Sequence, residues 1–155
     1  MSSLKTLLLA IEQAERRRHA AKQELARAEQ AWLAARDQLA QLQGYASETE
    51  ARWGAQSHRG AGPELLRHHY QFMGRLQHAT GLQASVIEQR ALAVQTSRQA
   101  LVVVELRLAA LTRVQDARRA ELAREQQRRE RLEDDEIAAV QYRNGAGRGL
   151  GGRIR

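Results

Sequence analysis

The chain has 155 residues, a length that suits one domain, yet aromatic residues make up only 4%, charged residues 28%, and there is a single proline. That profile excludes a layered globular core and points to long helices or coiled coil, in keeping with a mean hydropathy of -0.61. The net charge of +7 admits nucleic acid or an anionic membrane as partners, and the absence of cysteine excludes disulfides and thiolate metal sites.

At the N-terminus, Met1-Ser2-Ser3-Leu4-Lys5 leads into a short apolar run from Leu7 to Ile11. Glu12, Glu15 and three arginines follow at once. The run is too short to span a membrane and no small-residue cleavage site follows it, so the sequence predicts an intracellular, soluble chain.

From Leu4 to Trp53 the spacing alternates between three and four residues, through Leu7, Ile11, Ala14, Arg18, Ala21, Leu25, Ala28, Trp32, Ala35, Leu39, Leu42, Ala46 and Thr49. Only Arg18 and Thr49 on that row are not apolar. A 3.5-residue period holds one stripe against a partner helix along a left-handed supercoil. The spacing therefore predicts a first helix over 4–53. Gly54, Gly60, Gly62 and Pro63 then predict a turn over 54–63, with Pro63 suited to the start of the next helix.

A second helix is predicted over 64–144, opened by Glu64, whose charge suits the helix dipole. Its seam is rougher: Leu66, His69, Met73, Leu76, Thr80, Gln83, Ile87, Arg90, Val94, Ser97, Leu101, Val104, Leu108 and Leu111. A short turn between two heptad runs predicts an all-α fold, a two-helix antiparallel coiled-coil hairpin that forms one domain over 1–144. Folding back about residue 58 places Leu4 near Arg113, so the longer second helix overhangs the first from about 114. Charges alternate along this overhang, with pairs such as Glu125 and Arg129 at a helix-supporting spacing. The glycines and arginines of 145–155 predict a flexible basic tail. Elsewhere the positive charge is spread thinly, so nucleic-acid binding has no basic face to rest on.

Catalytic chemistry finds no footing. Gly145-Ala-Gly-Arg-Gly follows a helix and lacks the Lys-Ser/Thr ending of a phosphate loop. His68 and His69 are adjacent and diverge on a helix, while His19, His58 and His78 have no ligand spacing around them. Asp134, Asp135 and Glu136 diverge in the same way, and a two-helix fold offers no water-excluded pocket. The chain is expected to be a protein-binding component and not an enzyme, with no metal and no cofactor.

The turn region is more specific than generic coiled coil. Gln38, Leu42 and Tyr45 form Gln-x3-Leu-x2-Tyr before the turn; Phe72, Leu76 and Ala79 form Phe-x3-Leu-x2-Ala after it. Near the end, Arg128-Arg-Glu-Arg-Leu-Glu-Asp-Asp-Glu-Ile-Ala138 closes a charged run on Asp-Glu-x-Ala. In these motifs and in its layout of a shorter helix, turn and longer helix, the chain resembles the FliJ family, coiled-coil components of the bacterial flagellar type III export apparatus.

The resemblance implies a stalk that inserts its paired helix ends into the hexameric export ATPase (FliI-like) and presents its hairpin region to the export gate (FlhA-like). Carried over by position, the gate surface is Gln38, Leu42, Tyr45, Phe72, Leu76 and Ala79. Family members often carry a second aromatic four residues beyond the tyrosine, where this chain has Thr49. The overhang nominates Arg118, Leu122, Arg129 and Leu132 for the ATPase ring. Further partners would be the ATPase regulator (FliH-like) and export chaperones, and the chain is expected to be monomeric, at the cytoplasmic face of the inner membrane. Tyr45, Tyr70 and Phe72 are three of the four Tyr and Phe residues, and their clustering near the turn is what a binding hot spot needs. Alternatives are the equivalent stalk of a virulence secretion system, or a structural or nucleic-acid-binding coiled-coil homodimer.

Overall fold

The computed structural model describes residues 2–151, with side chains over 3–147. Two long helices pack against each other: α1, Ser2–Ser57, 56 residues, and α2, Pro63–Gly151, 89 residues. The fold is all-α, and no strand occurs among the described residues.

Both helices run past their expected ends. Gly54 lies inside α1, because glycine costs a helix about 1 kcal/mol but keeps its backbone donor. The helix stops where its last carbonyls find other partners. Ser57 Oγ donates to the Gly54 carbonyl at 3.0 Å, Arg59 N–H to Gln56 at 2.9 Å and Gly60 N–H to Ser57 at 3.3 Å. Gly60 then takes φ +83°, the left-handed conformation that ends helices and that a side chain disfavours. Gly62 begins the return, its carbonyl accepting the Leu66 N–H at 3.2 Å. Pro63 follows as the first residue of α2 with Glu64 in the first turn. At the other end, α2 stays helical to Gly151, where a non-helical tail was expected from 145. Residues 152–155 of that expected tail lie outside the described residues.

The residues group into two compact units, Glu12–Leu108 and the pair of segments Met1–Ile11 and Ala109–Arg155. Within the first unit the inner faces follow the heptad rows. Ala14, Ala35, Leu76 and Val94 are buried, and Leu25, Trp32, Leu39, Leu42, Ile87, Leu101 and Val104 are half-buried. Two expected seam positions are exposed instead, Leu66 and Arg90. Near the turn the Trp53 indole stacks on the His69 ring, centroids 4.2 Å apart and 7° from parallel. Arg90 keeps its charge in water while the half-buried Val86 and Ile87 fill the interior beside it.

Two polar residues of the seam, Gln83 and Arg18, face partners across the pair. Gln83 Nε2 donates to the Ala35 carbonyl at 2.9 Å and to Gln38 Oε1 at 3.2 Å. Arg18 faces Glu105 at 3.6 Å, and Arg98 faces Glu29 at 3.6 Å. These ion pairs are about half exposed and contribute at most about 1 kcal/mol each, so they do little to hold the fold.

In the second unit, Leu7 and Ile11 are buried. Arg118 donates from Nη1 to the Ser3 carbonyl at 3.3 Å, and Ser3 and Leu4 share a shallow cleft with Arg118, Glu121, Leu122 and Glu125. Leu4 thus meets Arg118 and Leu122, not Arg113 as expected. The cause is the turn: with α1 carried on to Ser57, the chain reverses nearer Gly60 than residue 58, and the pairing slides toward the C-terminus. No helix among the described residues is long and apolar enough to cross a membrane.

Candidate functional site

Tyr45 lies beside the inner row of α1, one turn before Thr49, and Phe72 lies on α2 a little beyond the turn. Their rings meet edge to face, centroids 5.9 Å apart and 74° between planes. That arrangement sets the positive edge of one ring on the negative face of the other. Both remain accessible, Tyr45 at 50% and Phe72 at 38%. The pair is a preformed aromatic step at the margin of the seam, with one face open to solvent.

The other residues of the expected gate surface divide by burial. Leu76 is 8% exposed and belongs to the core beneath the step. Leu42 and Ala79 are half-buried on either helix. Gln38 is exposed but tied through its side-chain oxygen to Gln83. The structure therefore gathers all six on one stretch of the first unit, with Tyr45, Phe72 and Gln38 at the surface and Leu76 supporting them. Thr49 offers no substitute for a second aromatic, since its hydroxyl donates to the Tyr45 carbonyl at 2.8 Å.

Three neighbours, Trp53, His69 and Gln83, were not part of the expected surface, and Tyr70, which the sequence grouped with Tyr45 and Phe72, lies beside them. Trp53 and His69 extend the aromatic row toward the turn, and Tyr70 joins at 6.1 Å from His69 with 68% of its surface exposed. Gln83 holds Gln38 in place. Both sets depend on which residues face each other across the helices, so only their seam positions hinted at them.

The four residues nominated from the overhang separate into two pairs. Arg118 and Leu122 lie against Ser3 and Leu4, so they belong to a two-helix segment. Arg129 and Leu132 lie farther along, in a run from Arg119 to Gly147 in which every residue is exposed. That run bears Leu122, Leu132, Ile137, Val140 and Tyr142 as large apolar side chains, each at least half exposed, among closely spaced charges. Beyond the cleft with Ser3 and Leu4 it is a single length of helix with no covering among the described residues.

No group of three or more His, Cys, Asp or Glu side chains able to hold a metal occurs among the described residues. The clefts are shallow grooves along the helices, such as that of Glu29, Trp32, Leu33, Ala91, Val94 and Arg98. What the arrangement offers is surface: an aromatic step at one place and an uncovered helix at another.

The sequence model of the family described as Flagellar FliJ protein matches residues 1–147. No curated protein matches the chain, and no solved structure does.

Proposed function

The chain belongs to the FliJ family, coiled-coil components of flagellar protein export, and we propose that it serves there as a stalk joining the export ATPase to the export gate. The observation that carries this reading is the uncovered length of α2 beyond the cleft with Ser3 and Leu4, where residues 126–147 are all exposed. An isolated helix of this kind is marginal in water without tertiary packing, and a partner that packed on Leu132, Ile137 and Val140 would supply it. In this reading the overhang, with Arg129 and Leu132, enters the ATPase (FliI-like) ring. Arg118 and Leu122 stiffen its root. The step of Tyr45 and Phe72, with Gln38, Leu42, Leu76 and Ala79 around it, meets the gate (FlhA-like). The stalk raises the turnover of the ATPase and contributes no catalytic group of its own.

The test is ATP hydrolysis by a cognate export ATPase with the full chain and with a chain ending at Glu125, which keeps the residues packed against Ser3 and Leu4. Stimulation by the full chain and its loss on truncation is the expected result. Equal turnover with both chains, under conditions where the ATPase forms its ring, would sink the stalk reading.

A further inference from the structure

Charge is unevenly placed around the step of Tyr45 and Phe72. From Leu65 to Ile87 no residue is Asp or Glu, the longest such run in the chain. The same stretch holds Arg67, Arg75, His68, His69 and His78. On α1, Glu48 is the single carboxylate within a turn of Tyr45 in sequence, and Arg52 lies against it at 3.8 Å. That stretch of α1 thus brings no unbalanced negative charge to the rings.

Helical spacing decides which cation reaches the step. Residues three and four apart share a face, so His68, Phe72, Arg75 and Ala79 form one row on α2. Phe72 is 38% exposed, and His68 and Arg75 on either side of it are exposed as well. Neither of those two side chains has an ion pair, hydrogen bond or ring contact among the described residues. Arg75 has Gln71 and Ala79 one turn away on its own helix, where Arg16 has Glu12 and Arg52 has Glu48. Its guanidinium stands next to an open aromatic face with no carboxylate to hold it.

We propose that the partner surface seated on the step is acidic: an apolar side chain rests on the open face of Tyr45 and Phe72, and a carboxylate beside it pairs with Arg75. The inference rests on the reading of the step as the gate-binding surface and adds the chemistry by which the gate is recognised. Two rings offer apolar contact to any partner and so choose poorly between them. A guanidinium at their edge chooses, because it meets a carboxylate through two parallel hydrogen bonds and repels a lysine or arginine in the same place. A ring next to the ion pair also shields it from water once the partner is seated, which raises what the pair contributes. The long run without Asp or Glu fits this use, since a carboxylate one turn from Arg75 would compete with the partner's. Arg75 is thus the specificity determinant of the surface and the rings are its anchor. The motifs around the turn did not single it out, because one arginine does not stand out in a chain with 25 Lys and Arg residues.

The test is titration calorimetry of the full chain with the cytoplasmic domain of a cognate gate, at about 50 and about 300 mM salt. The variants are Arg75→Gln, Arg75→Glu and Tyr45→Ala, with helix content followed by circular dichroism. Arg90→Gln is the control, since it removes an exposed charge from the same helix about five turns from Phe72. Binding should weaken about tenfold in Arg75→Gln and about a hundredfold or more in Arg75→Glu, at unchanged helix content, and by no more than about twofold in Arg90→Gln. The affinity of the natural chain should fall as salt rises, and Arg75→Gln should lose part of that dependence. Arg75→Glu binding as tightly as the natural chain, while Tyr45→Ala binds weakly, overturns the acidic partner and leaves the gate reading standing. Equal weakening by Arg90→Gln and Arg75→Gln reduces the effect to net charge and overturns it too. Binding indifferent to Tyr45→Ala, or no binding by the natural chain, sinks the gate reading and this inference with it.

Discussion

Tyr45 and Phe72 touch each other yet keep much of their surface in water, whereas Leu76 beside them is buried. Their substitutions should therefore part ways. Tyr45→Ala or Phe72→Ala should weaken binding to the gate's cytoplasmic domain by about tenfold or more, in the range of a hot-spot aromatic. Either should cost the fold about 1 kcal/mol, the worth of the ring pair. Leu76→Ala should instead lower stability by about 2–4 kcal/mol, since a buried leucine leaves a cavity. Titration calorimetry and denaturant unfolding on the same proteins would separate the two; a stability loss for Tyr45→Ala as large as for Leu76→Ala would make the step core and not contact surface. At this scale the sequence was legible wherever a residue type spoke for itself, as with aromatics grouped near a turn. It was not legible where meaning came from a cross-helix neighbour. The stack of Trp53 on His69 and the hold of Gln83 on Gln38 exist only once the helices are aligned.

The two glycines on either side of the end of α1 play opposite parts. Gly54 is helical, with open space for at least 4 Å around the place a Cβ would occupy, while Gly60 holds φ +83°. Gly54→Ala should stabilise the chain by about 0.5–1 kcal/mol through helix propensity and a less flexible unfolded state. Gly60→Ala should destabilise it by about 1–2 kcal/mol, the cost of a left-handed alanine. Thermal unfolding of both variants checks the pair, and a loss of stability in Gly54→Ala would return Gly54 to the turn. The heptad rows placed both helices because a 3.5-residue period marks a stripe. The same period says nothing of axial register, since a stripe pairs equally well after a slip of one heptad. Register rests on where the chain reverses. Gly60, Ser57 and the carbonyl of Gly62 decide that, and no composition rule told them apart from Gly54.

Stability in the whole molecule is unevenly distributed. No side chain among the described residues is below 2% exposure, so the fold rests on a thin seam of half-buried contacts. Local opening should therefore follow that seam. Amide exchange should be slow around Ala35, Leu76 and Val94 and faster by several orders of magnitude over 126–147, where helix lacks tertiary cover. Hydrogen exchange read by mass spectrometry checks this, and uniform protection along α2 would contradict it. The ion pairs are exposed, so the melting temperature should move only slightly between low and high salt.

The cross-helix contacts of the unit Glu12–Leu108 also form a ladder in sequence separation. Trp53 with His69 is the shortest rung, Tyr45 with Phe72 comes next, then Ala35 with Gln83, Glu29 with Arg98 and Arg18 with Glu105. Each rung, once made, leaves only a short further loop to close for the following one, so loop entropy is met in small instalments. Folding should then run as a zipper from the turn. Gly60→Ala, acting on the first rung, should slow folding, and Ala14→Gly, near the last, should chiefly hasten unfolding.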